Sequence, residues 1–248
     1  MKFFAPLLIA AVAQGADTNW AAYLGDKGGS HYSTLTQITP ENVTKLQVAW
    51  TFNAGGADPK DRSQIQCNPL VVDGVLYGTS PDFQLIAVDA ATGGEKWRFD
   101  PAQEGLAKSG VNRGVVHWGG GDDARILYAN DRFLHAIDLR SGKRIPSFGK
   151  NGSVDLKEGL GREAGDLYLT ANTPGVIYRD LLIMGMRLGE GPGPAAPGPI
   201  RAYNVRTGEL VWRFNTIPQP GEPGHGTWPP DAYRRLGGAN VWSGFTLD

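Results

Sequence analysis

Apolar residues alternate with small or polar residues in a segment of the chain that is divided by a short polar turn. The segment is 85–99, with the sequence LIAVDAATGGEKWRF. Ile86 and Val88 follow the two-residue period of a strand, and the aromatic residues after the turn resume it. Asp89 is suited to cap the turn, and Gly93 or Gly94 tolerates the positive φ that a tight turn requires. The pattern therefore predicts a strand, a turn and a second strand.

The same pattern occurs twice more along the chain. The second copy is 134–148 (LHAIDLRSGKRIPSF) and the third is 200–214 (IRAYNVRTGELVWRF), while 46–52 (LQVAWTF) repeats only the second strand. Each full copy carries Asp or Asn three residues before a Thr-Gly or Ser-Gly pair. The repeat identifies one supersecondary unit that is used several times.

Another strand pair precedes each full copy, so that two hairpins form one four-stranded unit. Repeats of this length built from strands and turns indicate an all-β fold, a β-propeller of four-stranded blades with Trp-bearing repeats. The predicted blades span about 67–100, 114–148 and 166–215, and Trp97 and Trp212 are expected in the propeller core. The alternative is a β-sandwich whose segments resemble one another by accident.

Composition and charge limit the kind of partner that the chain can bind. The net charge is −1 and no basic run is present, which argues against nucleic acid because phosphate binding requires concentrated Lys and Arg. The single cysteine, Cys67, excludes an internal disulfide and a Cys-rich metal site.

The first residues have the pattern of a secretion signal. Lys2 precedes an apolar run at 3–13 that is too short to span a bilayer, and small residues follow it. We expect 1–16 to be a signal peptide and 17–248 to be a partial propeller domain in the periplasm, with membrane association through a partner only. A buried N-terminal segment is the alternative.

The number of predicted blades also bears on the length of the whole protein. Three predicted blades and fragments of two others do not close a ring, and an open ring leaves strand edges and apolar faces exposed. We therefore expect the chain to be the N-terminal part of a longer protein.

Several motifs in a fixed order resemble one enzyme family. They are HYS at 31–33, PLVVDG at 69–74, NRG at 112–114, IPQPGE at 217–222 and GGANVW at 237–242. Together with the Trp-bearing repeats, they resemble the pyrroloquinoline quinone (PQQ)-dependent dehydrogenases, particularly the glucose-dehydrogenase-like quinoproteins. The resemblance implies an eight-bladed propeller, of which this chain is about half, with PQQ and calcium on the central axis. It also implies a sugar or alcohol substrate and a quinone or cytochrome electron acceptor.

The resemblance assigns roles to particular residues. Arg113 lies where the family places an arginine against a cofactor carboxylate, which a planar guanidinium binds through paired hydrogen bonds. Trp242 falls where the family stacks the PQQ ring on a tryptophan. Gln66 matches a cofactor-contacting position that is often glutamate, and Thr173 is a candidate hydroxyl donor to the quinone. Glu190 is the candidate calcium ligand.

The resemblance also sets limits on the reaction. The alcohol-oxidising members carry adjacent cysteines where this chain has Ala107 and Lys108, which favours the sugar-type branch. The family's catalytic aspartate and a second calcium ligand are expected beyond Asp248. The alternative function is a non-catalytic PQQ-repeat propeller that acts as an envelope scaffold.

Overall fold

The computed structural model describes residues 19–60, 62–106, 110–241 and 243–248. Three antiparallel four-stranded sheets and one two-stranded ribbon make up its β structure. Each four-stranded sheet takes its strands in chain order, as expected of propeller blades. The predicted signal peptide at 1–16 lies outside the described residues.

The first blade follows the predicted boundaries closely. Val75 pairs with Asp89, and Ala87 pairs with Trp97 across the next ladder. Asp89 Oδ1 accepts hydrogen bonds from the backbone N–H groups of Ala91 and Thr92, which closes the turn in the predicted way. Its strands are β1 (Leu70–Val72), β2 (Val75–Thr79), β3 (Leu85–Asp89) and β4 (Glu95–Phe99).

The second blade differs from the prediction in its last strand. The chain after the turn pairs only briefly, because Ile145 donates to Ala136 O at 2.8 Å but Pro146 has no N–H to continue the ladder. The fourth strand forms later, so the blade ends at Asp155 and not at Phe148. Its strands are β5 (Val116–Trp118), β6 (Arg125–Asn130), β7 (Phe133–Asp138) and β8 (Ser153–Asp155).

The third blade contains the Gly/Pro-rich insert between two of its strands. A two-stranded ribbon pairs Arg187 with Thr170, and so brings the segment before the blade next to the start of the insert. The blade strands are β10 (Val176–Tyr178), β11 (Leu181–Met184), β13 (Ile200–Asn204) and β14 (Leu210–Phe214), and the ribbon consists of β9 (Leu169–Thr170) and β12 (Arg187–Leu188).

Helical structure is short in the described part of the chain. One α-helical turn, α1, covers Ala232–Arg235, and 3₁₀ turns cover Val43–Lys45, Pro101–Glu104, Gly121–Asp123 and His225–Thr227. No helix among the described residues has the length and apolar character needed to cross a bilayer. The partial repeat at 46–52 is not a strand in the described structure.

Tryptophan side chains join successive units. The indole Nε1 of Trp50 donates to Ala90 O at 3.1 Å, and that of Trp97 donates to Leu139 O at 3.1 Å. Each indole lies over the turn glycine of the next blade, so closely that a Cβ on Gly93 or Gly142 would lie 2.8 or 2.5 Å from the ring. Trp50 therefore contacts the first blade without belonging to a strand.

The expectation that Trp212 is a core residue is wrong for the described structure. Its side chain is 39% exposed, and the other apolar side chains of β14 are exposed as well. The buried core instead lies between neighbouring blades, with one cluster joining the first and second blades and another joining the second and third.

Candidate functional site

Three of the candidate residues occupy equivalent places in successive blades. Gln66 precedes β1, Arg113 precedes β5 and Thr173 precedes β10, and each of these is the first strand of its blade. In a propeller the blades surround a central channel, so equivalent positions in successive blades face a common centre. The spacing of the repeats thereby brings together residues that are far apart in the sequence.

Backbone hydrogen bonds join the three segments that precede the first strands of the blades. Asn68 N donates to Arg113 O at 2.9 Å, and Arg113 N donates to Asn172 O at 2.8 Å. Asn68 and Gly114 also form a parallel bridge. The three segments are therefore held at fixed positions by main-chain contacts, which suits a site that must be rigid.

The Arg113 guanidinium connects the three blades through its side chain. Its Nε donates to Gln66 Oε1 at 3.2 Å, and its Nη1 donates to Thr173 Oγ1 at 3.3 Å. Both contacts orient the guanidinium plane, and the half-buried side chain keeps its positive charge near the surface of the site.

A buried asparagine holds the turn that presents Arg113. Asn112 is 6% exposed, and its Oδ1 accepts from Gly114 N at 2.9 Å and from Thr79 Oγ1 at 3.2 Å. Its Nδ2 donates to Ala129 O at 3.0 Å. Sequence reasoning treated Asn112 only as part of a motif. The signal for its role is an Asn two residues before Gly, the pattern of an Asx turn.

The guanidinium lines a cavity of about 160 Å³ between the second and third blades. Asn172 also lines the cavity, is 6% exposed, and has a buried Oδ1 with no hydrogen-bond partner. Such an atom is costly unless a ligand or water satisfies it. Cofactor pockets usually measure about 300–1,000 Å³, so the described walls form only part of such a pocket. Sequence reasoning missed Asn172.

The other two candidate residues are placed differently. Glu190 accepts from Arg187 Nε at 3.4 Å, and its side chain is 51% exposed. Arg187 lines the cavity, but Glu190 is not among the lining residues. Trp242 lies outside the described residues. The preceding Val241 packs so closely on the strand end that a Cβ on Gly185 would lie 2.9 Å from the Val241 Cβ.

Metal-ligating side chains do not cluster in the part of the chain that the structure describes. No group of three or more His, Cys, Asp or Glu residues there is placed to hold a metal ion. Calcium needs six to eight oxygen ligands. Glu190 can therefore be only one member of a larger set of oxygen ligands.

The Tyr23 ring packs against the turn that carries Arg113. A Cβ on Gly114 would lie 3.1 Å from the Tyr23 ring, so glycine permits the close approach. Burial raises the pKa of Tyr23 above its ordinary value, while the Arg113 charge acts in the opposite direction. The ring and the guanidinium are thus electrostatically coupled neighbours.

The fold and the site define a class of protein: a propeller in which the segments before the first strands of the blades form a cationic, partly buried ligand pocket. The family model for the PQQ-type glucose/ethanol/alcohol dehydrogenase β-propeller domain matches residues 20–248. The chain belongs to this family.

Named relatives agree with the family assignment. The quinoprotein glucose dehydrogenase A of Acinetobacter calcoaceticus is 31% identical over 90% of this chain and 32% of its own length. The dehydrogenase subunit of the quinone alcohol dehydrogenase of Gluconacetobacter polyoxogenes is 31% identical over 93% of this chain and 31% of its own length. The solved structure of a quinohemoprotein alcohol dehydrogenase from Pseudomonas putida matches with a TM-score of 0.72 and 30% identity, covering 93% of this chain and 33% of its own. The chain thus spans about a third of the length of these relatives.

The residues in the cavity fit PQQ, a flat dione with three carboxylates. Arg113 and Arg187 supply two positive charges at the cavity wall, and none of the described residues that line it carries a carboxylate side chain. Thr173 adds a hydroxyl that can donate, whereas the unsatisfied Asn172 Oδ1 is an acceptor. The two guanidinium groups and the hydroxyl suit an anionic, oxygen-rich ligand.

Proposed function

We propose that the chain provides one side of the cofactor pocket of a periplasmic quinoprotein dehydrogenase that oxidises a sugar or an alcohol. The observation that carries this proposal is the convergence of Arg113, Gln66 and Thr173 from three blades. The family membership supports the cofactor class. The absence of a cysteine pair at Ala107 and Lys108 supports a sugar-type substrate, and a quinone or a cytochrome is the proposed electron acceptor.

The bound quinone would supply a carbonyl that accepts hydride from the substrate. The protein's own residues would bind and orient it. Arg113 would pair with a carboxylate through its planar guanidinium, and Gln66 would fix the orientation of that guanidinium. Thr173 would donate its hydroxyl, and Asn172 Oδ1 would accept from an N–H or O–H group of the ligand or of a water molecule.

Two further candidates complete the proposal. Trp242, which lies outside the described residues, would offer its ring as a stacking surface for the cofactor. Glu190 would contribute one oxygen ligand to calcium once its side chain leaves Arg187.

Secretion to the periplasm is also proposed, on the basis of the signal-like pattern at 1–16. The test is the intact mass of the chain recovered from a periplasmic extract. We expect a mature start near Ala16 or Asp17. Retention of the apolar run in the recovered chain would overturn this part of the proposal.

Cofactor binding is tested by titrating the chain with PQQ in the presence of calcium and following the absorbance of the bound quinone. Arg113→Lys keeps the charge but loses the paired geometry, so we expect about tenfold weaker binding with unchanged folding. Arg140→Lys is the matched control, since its side chain is 66% exposed and pairs with Asp122.

The outcomes separate the enzyme from the scaffold alternative. Binding by the parent chain and the Arg140→Lys variant, with weaker binding by Arg113→Lys, supports the dehydrogenase. A folded parent chain that leaves the PQQ absorbance unchanged would overturn the proposal and favour the envelope scaffold.

A further inference from the structure

At the junction between the second and third blades, the repeat position equivalent to Trp97 is Pro146. Trp118 crosses this junction at a different place, where its Nε1 donates to Arg179 O at 3.0 Å. Trp50 covers Gly93 and Trp97 covers Gly142. At the third junction the equivalent turn glycine, Gly208, is approached by Val154, whose Cγ2 would lie 2.7 Å from an added Cβ. A valine is much smaller than an indole, so this junction is not filled in the same way.

The hydrogen bond of the missing indole is replaced from elsewhere. Trp50 and Trp97 donate to the carbonyls of Ala90 and Leu139, each one residue after the turn Asp. The equivalent carbonyl in the third blade, Val205 O, accepts from Arg125 Nη1 at 3.2 Å. The Val205 carbonyl is therefore satisfied by a guanidinium and not by an indole. Val154 and the Gly149 backbone contact Gly208, and open space remains beside them.

That space is a cleft of about 540 Å³, within the usual range for small-molecule sites. Its walls combine two aromatic rings with hydroxyl and carboxylate groups. The side chains that matter for the argument are Phe133, Ser153, Asp155, Glu158, Tyr203 and Glu209.

One wall residue carries a polar group that has no partner. Tyr203 is 2% exposed, and its buried hydroxyl makes no hydrogen bond. Burial raises the pKa of Tyr203 to about 12, so the hydroxyl is protonated and able to donate. An unsatisfied buried hydroxyl costs stability unless a ligand or water meets it.

The acceptors across the cleft are held in place. Asp155 Oδ2 lies 3.1 Å from Arg132 Nη2, and Glu209 Oε2 accepts from Thr207 Oγ1 at 3.1 Å. Contacts of this kind position the carboxylates before a ligand arrives, which lowers the cost of binding.

The wall chemistry limits the class of ligand. Three carboxylates and a single lysine, Lys150, line the cleft, which disfavours an anion. Among the described residues no cluster of three metal-ligating side chains exists, which disfavours a metal ion. We propose that the cleft between the second and third blades binds a neutral, polyhydroxylated ligand such as a carbohydrate, apart from the cofactor pocket. Its hydroxyls would bond to the carboxylates and to Tyr203, and its apolar face would lie on an aromatic ring.

The first test uses maltose as the probe, without PQQ, and follows saturation-transfer NMR of the sugar with the whole chain. We expect binding in the millimolar range. Tyr203→Phe should weaken it about fivefold while leaving stability unchanged or higher, because it removes an unsatisfied hydroxyl. Tyr178→Phe is the matched control, since Tyr178 is 42% exposed and lies outside the cleft. Arg113→Lys should bind maltose as the parent does, which separates this cleft from the cofactor pocket.

The second test fills the cleft in the manner of the other two junctions. Val154→Trp should abolish maltose binding and keep or raise the melting temperature. The exposed Val48→Trp should change neither property. The proposal would be overturned if the parent chain did not bind maltose, or if calcium alone displaced maltose. It would also be overturned if folded Tyr203→Phe and Val154→Trp bound maltose as the parent does.

Discussion

At the scale of single residues, Arg113 and His135 show two different uses of a polar side chain. Arg113 reaches residues from two other blades and remains partly accessible. His135 has no exposed surface, and its Nδ1 lies 2.6 Å from Ser153 Oγ while its Nε2 has no partner. Accessibility to a ligand is what separates the candidate binding residue from the structural one.

His135 predicts a pH dependence of folding. Burial lowers its pKa from 6.5 to about 3, and the neighbouring Arg144 acts in the same direction. Between these values the unfolded chain binds a proton that the folded chain does not, so stability falls as the pH falls below 6.5. The expected loss between pH 6.5 and pH 5 is about 1.5 kcal/mol, measured by urea unfolding. His135→Gln should remove this part of the slope, and His31→Gln should keep it. Equal slopes in all three chains would contradict the assignment.

The sequence predicted the candidate site unevenly. The motif resemblance identified Arg113, Gln66 and Thr173, and the structure brings all three into contact. It did not single out Asn172, because a buried amide without a partner is a property of packing and leaves no pattern in the sequence. The resemblance made Glu190 the candidate calcium ligand, yet it pairs with a neighbouring arginine and is not among the residues that line the cavity.

At the scale of elements, the repeat predicted the hairpins better than the last strands. The first blade follows the pattern because its turn residues and ladder agree. The second blade departs from the pattern because Pro146 interrupts the ladder. A proline inside a copy of the repeat is a sequence signal that the strand is broken there. The exposure of β14 could not be read from its sequence, since its apolar residues match those of the buried repeats.

Two tryptophans with the same repeat position predict a contrast in stability. Trp97 lies on the next blade and donates to Leu139 O at 3.1 Å, whereas Trp212 is 39% exposed. Trp97→Ala should therefore cost about 3 kcal/mol or more, and Trp212→Ala should cost less than about 1 kcal/mol. Urea unfolding of the two variants and the parent provides the comparison. Equal losses of unfolding free energy in the two variants would show that a tryptophan stabilises the fold through its position in the repeat, and not through contact with a following blade.

At the scale of the whole molecule, the three blades have one apolar side that no other described part of the chain covers. Leu210, Val211, Trp212 and Phe214 of β14 are 37%, 54%, 39% and 61% exposed. β14 is also the last strand of its sheet, so one side of it has no neighbouring strand. An exposed apolar strand at a sheet edge favours pairing with another chain.

This surface predicts that the chain self-associates at micromolar concentrations. Burial of apolar area on a second molecule stabilises the associated state by about 25 cal/mol per Å² before the cost of association is subtracted. Sedimentation velocity should show an average mass that rises with protein concentration. The double variant Trp212→Lys with Phe214→Lys places two charges on the strand and should sediment as a monomer over the same range. A control with Tyr32→Lys and Val48→Lys, which are 72% and 83% exposed in the parent, should associate as the parent does. A monomeric parent, or equal association by both double variants, would show that the β14 surface does not drive self-association.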